Sequence, residues 1–332
     1  MNPAQQLFVL HALTPLHVGI EDSLGGIDLP TMRERHTGYP LLPGSSIKGV
    51  LRAEAAKEIS AKKMEALAAF GPNAELAGDY RGGLVLTDAV LLALPVRSLA
   101  GTFAWVTCPH ALRRLERDLA LIEPGTRFAL PELEGARGQV PSTRDQPQQS
   151  DSDLVVLDEE KAKVFLEEML LEVTPSPDVR ALAERVGTWA FPGDTETQAF
   201  FLRRFLLIPD DLFAFLCRLA LEVRARVKID ADRGTAADSG PWTEEHMPAE
   251  TLLYGLAIGR PTAYVERPTG DPDASQPAHQ PKAIPRTPED NLAYLRTLCP
   301  ERRLLRFGGH SSIGLGRAFF ILVPAKAEEE SR

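Results

Sequence analysis

The chain has 332 residues, of which 44% are hydrophobic, and its formal net charge at pH 7 is −9. This length and hydrophobic content allow a substantial buried core, which excludes an intrinsically disordered protein, and the three widely separated cysteines indicate neither a disulfide framework nor a Cys-x-x-Cys zinc site. Neither a signal peptide nor a stretch of about 18 apolar residues is apparent, so we expect a cytoplasmic protein that makes no membrane contact.

Apolar periodicity predicts regular elements in the first half of the chain. The predicted elements are a strand over residues 7–13, one long helix over 45–70, strands over 83–94 and 101–107, and a helix over 110–122. Residues 131–153 are rich in Pro, Gly, Gln and Ser and have little periodic apolar content, so we expect a long mobile insertion there.

The second half of the chain also predicts alternating helices and strands. The predicted elements are helices over 158–172 and 178–186, a helix beginning near residue 209, strands over 223–230, 250–257 and 318–323, and a helix that begins at Thr287-Pro288. The two adjacent strands predict a hairpin over about 224–257, and residues 261–288 predict a Pro-rich loop. Together these elements indicate one α+β domain over residues 1–332, elaborated by insertions.

The most informative stretch runs from Gly25 to Arg52. Asp28 lies in a Gly/Pro-framed loop and should be exposed. Ser45 or Ser46 can cap the following helix, whose free N–H groups would bind an anion, and Lys48 and Arg52 add positive charge one turn apart. Basic residues also concentrate over 301–317, so the net negative charge does not exclude a basic groove for nucleic acid.

The ordered motifs resemble a known family. They are Gly-Ile-Asp-Leu-Pro (residues 26–30), Arg-Glu-Arg-His-Thr-Gly (33–38), the Pro-Gly-Ser-Ser helix start (43–52), Phe-Gly-Pro (70–72), Leu-Thr-Asp-Ala (86–89), residues 95–109, Pro-Trp-Thr-Glu-Glu (241–245) and the closing Gly-rich run (308–317). This set is similar to the backbone subunits of type III-B CRISPR effector (Cmr) complexes, which belong to the RAMP superfamily of RNA-binding proteins. Each motif is common by itself, but the ordered set is specific.

The resemblance implies a fold and a set of partners. The implied fold is a ferredoxin-like (RRM-like) core with large insertions and a projecting β-hairpin thumb, which corresponds to residues 224–257 here. The implied partners are a CRISPR guide RNA, a target RNA, copies of the same chain stacked head to tail and other subunits of the Cmr complex. The implied activity is cleavage of target RNA at regular intervals with a divalent metal ion, Mg²⁺ or Mn²⁺.

The resemblance makes Asp28 the candidate catalytic residue. By its loop context alone, Asp28 would cap a turn. In RNA cleavage, its carboxylate could accept a 2′-hydroxyl proton or hold the metal ion against the phosphate. His17 could assist as an acid or base. Glu244 and Glu245 could position the metal or the scissile phosphate, although a solvated pair of carboxylates is an equal alternative.

A wider set of residues forms the predicted RNA-binding surface. Its members are Arg33, Arg35, His36, Ser45, Ser46, Lys48, Arg52, Trp242, Gly308, Gly309, His310, Ser311 and Arg317. Cations and helix starts bind phosphate, Trp242 could stack on a base or pack the hairpin, and the Gly-rich run allows backbone N–H groups to approach a phosphate. No Gly-Lys-Ser/Thr follows that run, so hydrolysis of a nucleoside triphosphate is not expected.

Two other functions remain open from the sequence. One is a purely structural RNA-binding subunit, in which Asp28 only shapes its loop. The other is a guide-processing endonuclease of the same superfamily, for which His17 or His36 could supply the acid or base.

Overall fold

The computed structural model describes residues 4–19, 26–57, 63–71, 81–133, 135, 137–143, 151–158, 161–229, 233–234, 236–266 and 282–324. The strands are β1 Ala4–Ala12, β2 Leu41–Leu42, β3 Leu84–Leu86, β4 Ala89–Arg97, β5 Phe103–Thr107, β6 Arg137–Pro141, β7 Val156–Asp158, β8 Lys161–Leu166, β9 Met169–Ser176, β10 Phe205–Leu207, β11 Glu222–Ile229, β12 Ala236–His246, β13 Leu252–Gly259, β14 Thr262–Glu266, β15 Lys282–Arg286, β16 Arg302–Arg306 and β17 Arg317–Leu322. The helices are α1 Gly44–Ala55, α2 Lys63–Phe70, α3 Pro109–Ala120, α4 Pro177–Ala190, α5 Thr195–Arg204, α6 Asp210–Leu219 and α7 Pro288–Leu298.

One large mixed sheet organises these elements. Its strand order is β16-β17-β1-β13-β4-β5-β10-β6-β9-β8-β7, with β2 and β3 paired to β4 and β13. The four strands β17, β1, β13 and β4 are neighbours and antiparallel. Along the chain they follow the order β1, α1, β4, β13, α7 and β17, which is the βαββαβ connection of a ferredoxin-like core. The predicted α+β, ferredoxin-like class is confirmed.

Helices bury both faces of this sheet. Phe8 and Leu10 of β1 face the cluster that contains side chains of α1, α2, α6 and α7. Leu7 and Val9 point the other way, into the cluster that contains side chains of α3, α4 and α5. Because successive residues of a strand alternate between faces, a central strand covered on both sides must be apolar at consecutive positions, as β1 is over residues 7–10.

A separate two-stranded hairpin, formed by β11 and β12, extends the chain between α6 and β13. Its register runs from Glu222 opposite His246 to Val227 opposite Pro241. The predicted hairpin over 224–257 is therefore wrong in its second strand, because Leu252–Gly259 pairs with β1 and β4 in the main sheet. That strand is apolar and buried at seven of eight positions, which suits a sheet centre and not an exposed hairpin.

The segment that follows the first insertion also differs from its prediction. The predicted helix over 158–172 is wrong, because its described residues belong to the end of β7, to β8 and to the start of β9, and Ala162, Val164 and Leu166 are buried alternately with more exposed neighbours. The predicted long helix over 45–70 is represented by two helices, α1 and α2, with residues 58–62 outside the described residues.

Both predicted loops contain strands. The insertion over 131–153 contributes β6, which joins the main sheet between β10 and β9. The Pro-rich loop over 261–288 contributes the antiparallel pair β14 and β15. The predicted mobility falls partly on residues 144–150, outside the described residues. In the described parts of the chain, no helix has the length and apolar character needed to cross a membrane.

Candidate active site

Asp28 lies at the edge of the hairpin base, where residues 27–31 run beside β12. The Asp28 N–H donates to the hydroxyl of Thr243 at 3.0 Å, and Oδ2 of Asp28 accepts from the N–H and the hydroxyl of Thr243 at 2.8 and 2.9 Å. The next residue, Leu29, extends this pairing, because it donates to Thr243 O and accepts from Glu245 N. The predicted exposed loop position of Asp28 is confirmed, and the loop is fixed to the hairpin.

The hydrogen bonds from Thr243 keep Asp28 ionised. The backbone N–H of Thr243, followed by its hydroxyl, holds the pKa of Asp28 below its ordinary value. A depressed carboxyl pKa contributes stability above the ordinary pKa, and this contribution is lost as the pH falls through the lowered value. Asp28 therefore presents a negative charge to solvent throughout the neutral and mildly acidic range.

Glu245 anchors the same loop from its buried side. Its Oε2 accepts from the N–H of Thr31 at 3.0 Å, and its Oε1 pairs with Nη2 of Arg33 at 2.6 Å. Nη1 of Arg33 donates to the carbonyls of Gly38 and Cys217. The Glu245 side chain is only 4% exposed. Arg33 and Glu245 therefore hold the loop in place, and their predicted contacts with RNA or metal would require these bonds to break.

We expect Arg33→Ala to destabilise the protein by about 3 kcal/mol, because the buried Glu245 carboxylate loses its charged partner. The measurement is the free energy of unfolding in a denaturant titration. Arg35→Ala is the matched control, because Arg35 lies two residues away and is exposed. Equal stability of the two variants would contradict an anchoring role for Arg33.

Glu244 is also buried, on the opposite side of β12, since neighbouring residues of a strand face opposite ways. Oε1 accepts from Nε1 of Trp242 at 2.8 Å, Oε2 accepts from Nε of Arg226 at 3.1 Å, and Nε2 of His310 lies 3.1 Å from Oε1, within ion-pair distance. Burial alone would raise the pKa of Glu244, but the Trp242 bond and the charges of His310 and Arg226 lower it overall. The carboxylate is 1% exposed, so its predicted catalytic role would require it to leave these donors.

Three imidazole rings surround this carboxylate. The ring centroid of His17 lies 5.1 Å from that of His246 and 5.5 Å from that of His310. Nδ1 of His17 bonds Glu245 O at 2.8 Å, which assigns the proton to Nδ1. Burial lowers the pKa of His246 to about 4, so this ring is neutral at pH 7. His17 is buried at 6% exposure, which places the predicted acid or base inside the hairpin base.

The start of α1 differs from its prediction. The helix begins at Gly44, ahead of both serines, so neither Ser45 nor Ser46 caps it. Instead, Oδ1 of Asp88 accepts from the Gly44 N–H at 2.8 Å. A carboxylate therefore already occupies the anion position at this helix start, which counts against a phosphate there.

The two cations of α1 are also engaged. Nζ of Lys48 donates to Leu84 O at 2.8 Å, and Arg52 donates to the carbonyl of Phe70. Burial, followed by the charge of Arg52, lowers the pKa of Lys48. Both cations join α1 to neighbouring segments, so their predicted phosphate contacts would compete with internal ones.

The remaining predicted RNA-binding residues occupy different surroundings. Arg35, His36, Ser45, Gly308 and Gly309 are exposed, and Ser46, Trp242, His310 and Arg317 are half-buried. Gly308 has φ +75°, and a Cβ there would lie 2.1 Å from His17 O, so this position requires glycine. Ser311 begins a short 3₁₀ turn. The structure brings Asp28, Glu244, Trp242, His17 and His310 to the hairpin base, while Ser45, Ser46, Lys48 and Arg52 belong to α1.

A divalent metal ion would find few protein ligands here. Among the described residues, no group of three His, Cys, Asp or Glu side chains is arranged to hold one. Asp28 is exposed, and no other described residue donates a hydrogen bond to its Oδ1. Mg²⁺ commonly binds one or two carboxylates together with water and substrate phosphate oxygens. Asp28 fits that limited role.

Sequence reasoning missed the partners that organise the site. Thr243, Arg226 and His246 were not singled out, and Asp88 was not connected with α1. The sequence signal that could have found these partners is the alternation along β12. Trp242, Glu244 and His246 lie on one face of this strand, and Thr243 and Glu245 lie on the other.

Comparison with known protein families identifies the class of protein to which this fold and the Asp28 loop belong. The family model of the RAMP superfamily matches residues 9–319, and the chain belongs to this superfamily.

Individual relatives show which members of the superfamily this chain resembles. The chain is 34% identical over 262 residues to the CRISPR system Cmr endoribonuclease Cmr4 of Pyrococcus furiosus, covering 76% of this chain and 81% of the relative. It is 22% identical over 268 residues to the CRISPR system CMR subunit Cmr4 of Saccharolobus solfataricus, covering 76% and 83%. The crystal structure of oligomeric Cmr4 from Pyrococcus furiosus superposes with a TM-score of 0.66 at 26% identity, covering 96% of this chain and 98% of that one. A chain of the type III-B Cmr-beta complex bound to cognate target RNA shares the fold, with a TM-score of 0.67 at 18% identity over 97% and 98% of the two chains.

Proposed function

We propose that this chain is the backbone subunit of an RNA-guided type III-B effector complex and cleaves the complementary target RNA. The observation that carries the proposal is Asp28, an exposed and ionised carboxylate bonded to Thr243 at the base of the hairpin. The resemblance of the chain to a Cmr4 endoribonuclease over most of its length supports the same reading. The expected location is the cytoplasm.

The proposed assembly is a head-to-tail stack along a guide RNA. A heterologous contact repeated between identical chains produces an open filament, which places one hairpin at each regular interval. Each hairpin would splay one nucleotide out of the guide–target duplex. This step matters because an A-form duplex does not hold a 2′-hydroxyl in line with its adjacent phosphate, whereas a splayed nucleotide can adopt that geometry.

The proposed reaction is attack by the 2′-oxygen on the adjacent phosphorus. The O2′–P bond forms as the P–O5′ bond breaks, the 2′-hydroxyl gives up its proton and the 5′-oxygen gains one, so the products end in a 2′,3′-cyclic phosphate and a 5′-hydroxyl. A divalent metal ion held by Asp28 would supply charge stabilisation at the phosphate. Because its pKa is lowered, Asp28 is a weaker base than an ordinary carboxylate, and this favours the role of metal or phosphate positioning over that of proton acceptor.

The test uses the chain purified in its complex. RNA that copurifies is detected by the 260/280 nm absorbance ratio and sequenced, and an end-labelled target complementary to it is then added with Mg²⁺ or Mn²⁺. We expect a ladder of evenly spaced products with cyclic phosphate ends, and no product with a non-complementary RNA or after chelation. A target with 2′-deoxy sugars at the cut sites should stay intact, because it lacks the nucleophile.

A purely structural RNA-binding subunit is the second candidate. The three hydrogen bonds between Asp28 and Thr243 favour it, because they are what an Asp that only shapes its loop would make. Guide RNA bound at the expected ratio, with no cleavage of a complementary target under any metal condition, would select this candidate.

A further inference from the structure

The carboxylate of Glu244 joins two segments that are far apart in the sequence. Trp242 and Arg226, which donate hydrogen bonds to it, belong to the hairpin, and its ion-pair partner His310 belongs to the Gly-rich loop over residues 308–316. A carboxylate that is 1% exposed depends on such donors, because an ion removed from water is costly unless it is hydrogen-bonded. The ion pair between His310 and Glu244, with 3.1 Å between Nε2 and Oε1, therefore connects the loop to the hairpin.

The Gly-rich loop presents His310 in a fixed orientation. His310 has φ +63°, a left-handed conformation that a residue with a side chain seldom adopts. The loop is held there by the bond from Gly309 N to His17 O at 3.1 Å and by the close approach of Gly308 to the same carbonyl. Strained backbone of this kind persists where the surroundings impose it, and it is concentrated at functional positions.

His17 and His246 complete the packing around this connection. The His17 ring packs beside both His246 and His310, tilted by 45° and 35° to them, and it is held by its bond to Glu245 O. His246 is fully buried, and its Nε2 lies 3.4 Å from Oε2 of Glu244, so the neutral ring packs against this carboxylate. Movement of His310 would therefore disturb the same strand that holds Asp28 through Thr243.

We propose that His310 is a positioning residue that couples the Gly-rich loop to the hairpin through Glu244. Guide phosphate bound at the Gly-rich loop fixes His310, His310 orients the segment 242–246, and this segment places Asp28 against the target. The contact joins Nε2 of His310 to Oε1 of Glu244 as an ion pair when the imidazole is protonated. The inference rests on the proposed function, and it adds the route by which guide binding sets the cleavage geometry.

The test replaces His310 with glycine in the assembled complex. His310→Gly removes the imidazole and also suits the positive φ, so the backbone need not move. We expect, at saturating guide RNA, target cleavage slowed on the order of tenfold or more and cuts spread over neighbouring phosphates, because misplacement by about 1 Å has such effects. Thr102→Gly is the matched control, since Thr102 has φ +74° in the β4–β5 turn and should change neither rate nor cut position.

Two further variants separate positioning from general loss of structure. His310→Gln retains an N–H donor of similar reach and should restore the cut positions. The double variant His310→Gly with Glu244→Gln should cleave target RNA no more slowly than the slower of the two single variants, because both changes remove the same connection. Wild-type cut positions in His310→Gly, or independent multiplication of the two rate losses, would overturn the proposal.

Fluorescence of Trp242 tests the coupling without cleavage. Its indole N–H bonds Glu244, whereas Trp105 and Trp189 are buried in the main core and should be insensitive to the loop. We expect guide RNA to shift the emission of the wild-type protein and of Thr102→Gly but not that of His310→Gly. An equal emission shift in all three proteins refutes the coupling. If the shift is lost only in His310→Gly but the wild-type complex never cleaves RNA, only the proposed catalysis is refuted.

Discussion

Asp28→Asn is expected to abolish cleavage of a complementary target RNA while guide binding and assembly persist. The change keeps the shape of the side chain and most of its bonding to Thr243 but removes the negative charge. Loss of a carboxylate that holds a metal ion or takes a proton should lower the single-turnover rate by at least about a hundredfold. The measurement is the rate of product formation from end-labelled target, with guide content followed by the absorbance ratio.

Asp194→Asn provides a closely matched control for this variant. Asp194 is a half-buried residue whose carboxylate oxygens also accept from the N–H and hydroxyl of one threonine, Thr197, and its pKa is lowered for the same reason. It caps α5, away from the hairpin base. Cleavage should therefore be unchanged in Asp194→Asn. Wild-type cleavage by Asp28→Asn would transfer the chemistry to other residues and support the structural subunit.

Local signals were sufficient where an element carries its own pattern. Leu112, Leu115 and Leu119 recur on one face of α3, and all three are buried. Thr287 caps α7 in a capping box with Asp290, as its place before Pro288 predicts. Such elements could be predicted because spacing and capping involve residues within one or two turns of each other.

The β8–β9 hairpin was missed because its turn lacks the usual residues. Glu167 adopts φ +50° in that turn, where glycine or asparagine is expected, so the charged run over 158–172 looks like a helix surface. The strand period is revealed by the alternate burial of Ala162, Val164 and Leu166 on β8 and of Leu171 and Val173 on β9. Here packing against the sheet outweighs local preference.

The site could be predicted only in part, because the sequence shows charges and not their partners. Asp28 was identified by its loop, but the residue that fixes it, Thr243, lies 215 positions away. Arg33, Lys48 and Arg52 look like free cations, whereas each donates to internal carbonyls in the fold. Contacts of this kind arise from tertiary structure and have no short-range signature.

Shortening the hairpin should change where the target is cut without unfolding the chain. The change replaces residues 228–240 with a Gly-Ser turn that joins Val227 to Pro241, which are already paired across β11 and β12. Folding should persist, because Val227 and Ile229 are 48% and 55% exposed and the outer hairpin contributes little to the core. Without the outer hairpin the guide–target duplex stays stacked, so the 2′-hydroxyl is poorly aligned with its phosphate and the regular cuts disappear or move.

The measurements are a sequencing gel of the cleavage products and a melting curve of the protein. Glu167→Gly with Glu168→Ser in the β8–β9 turn is the control, and a normal ladder from a folded, shortened protein would show that another element sets the cut sites.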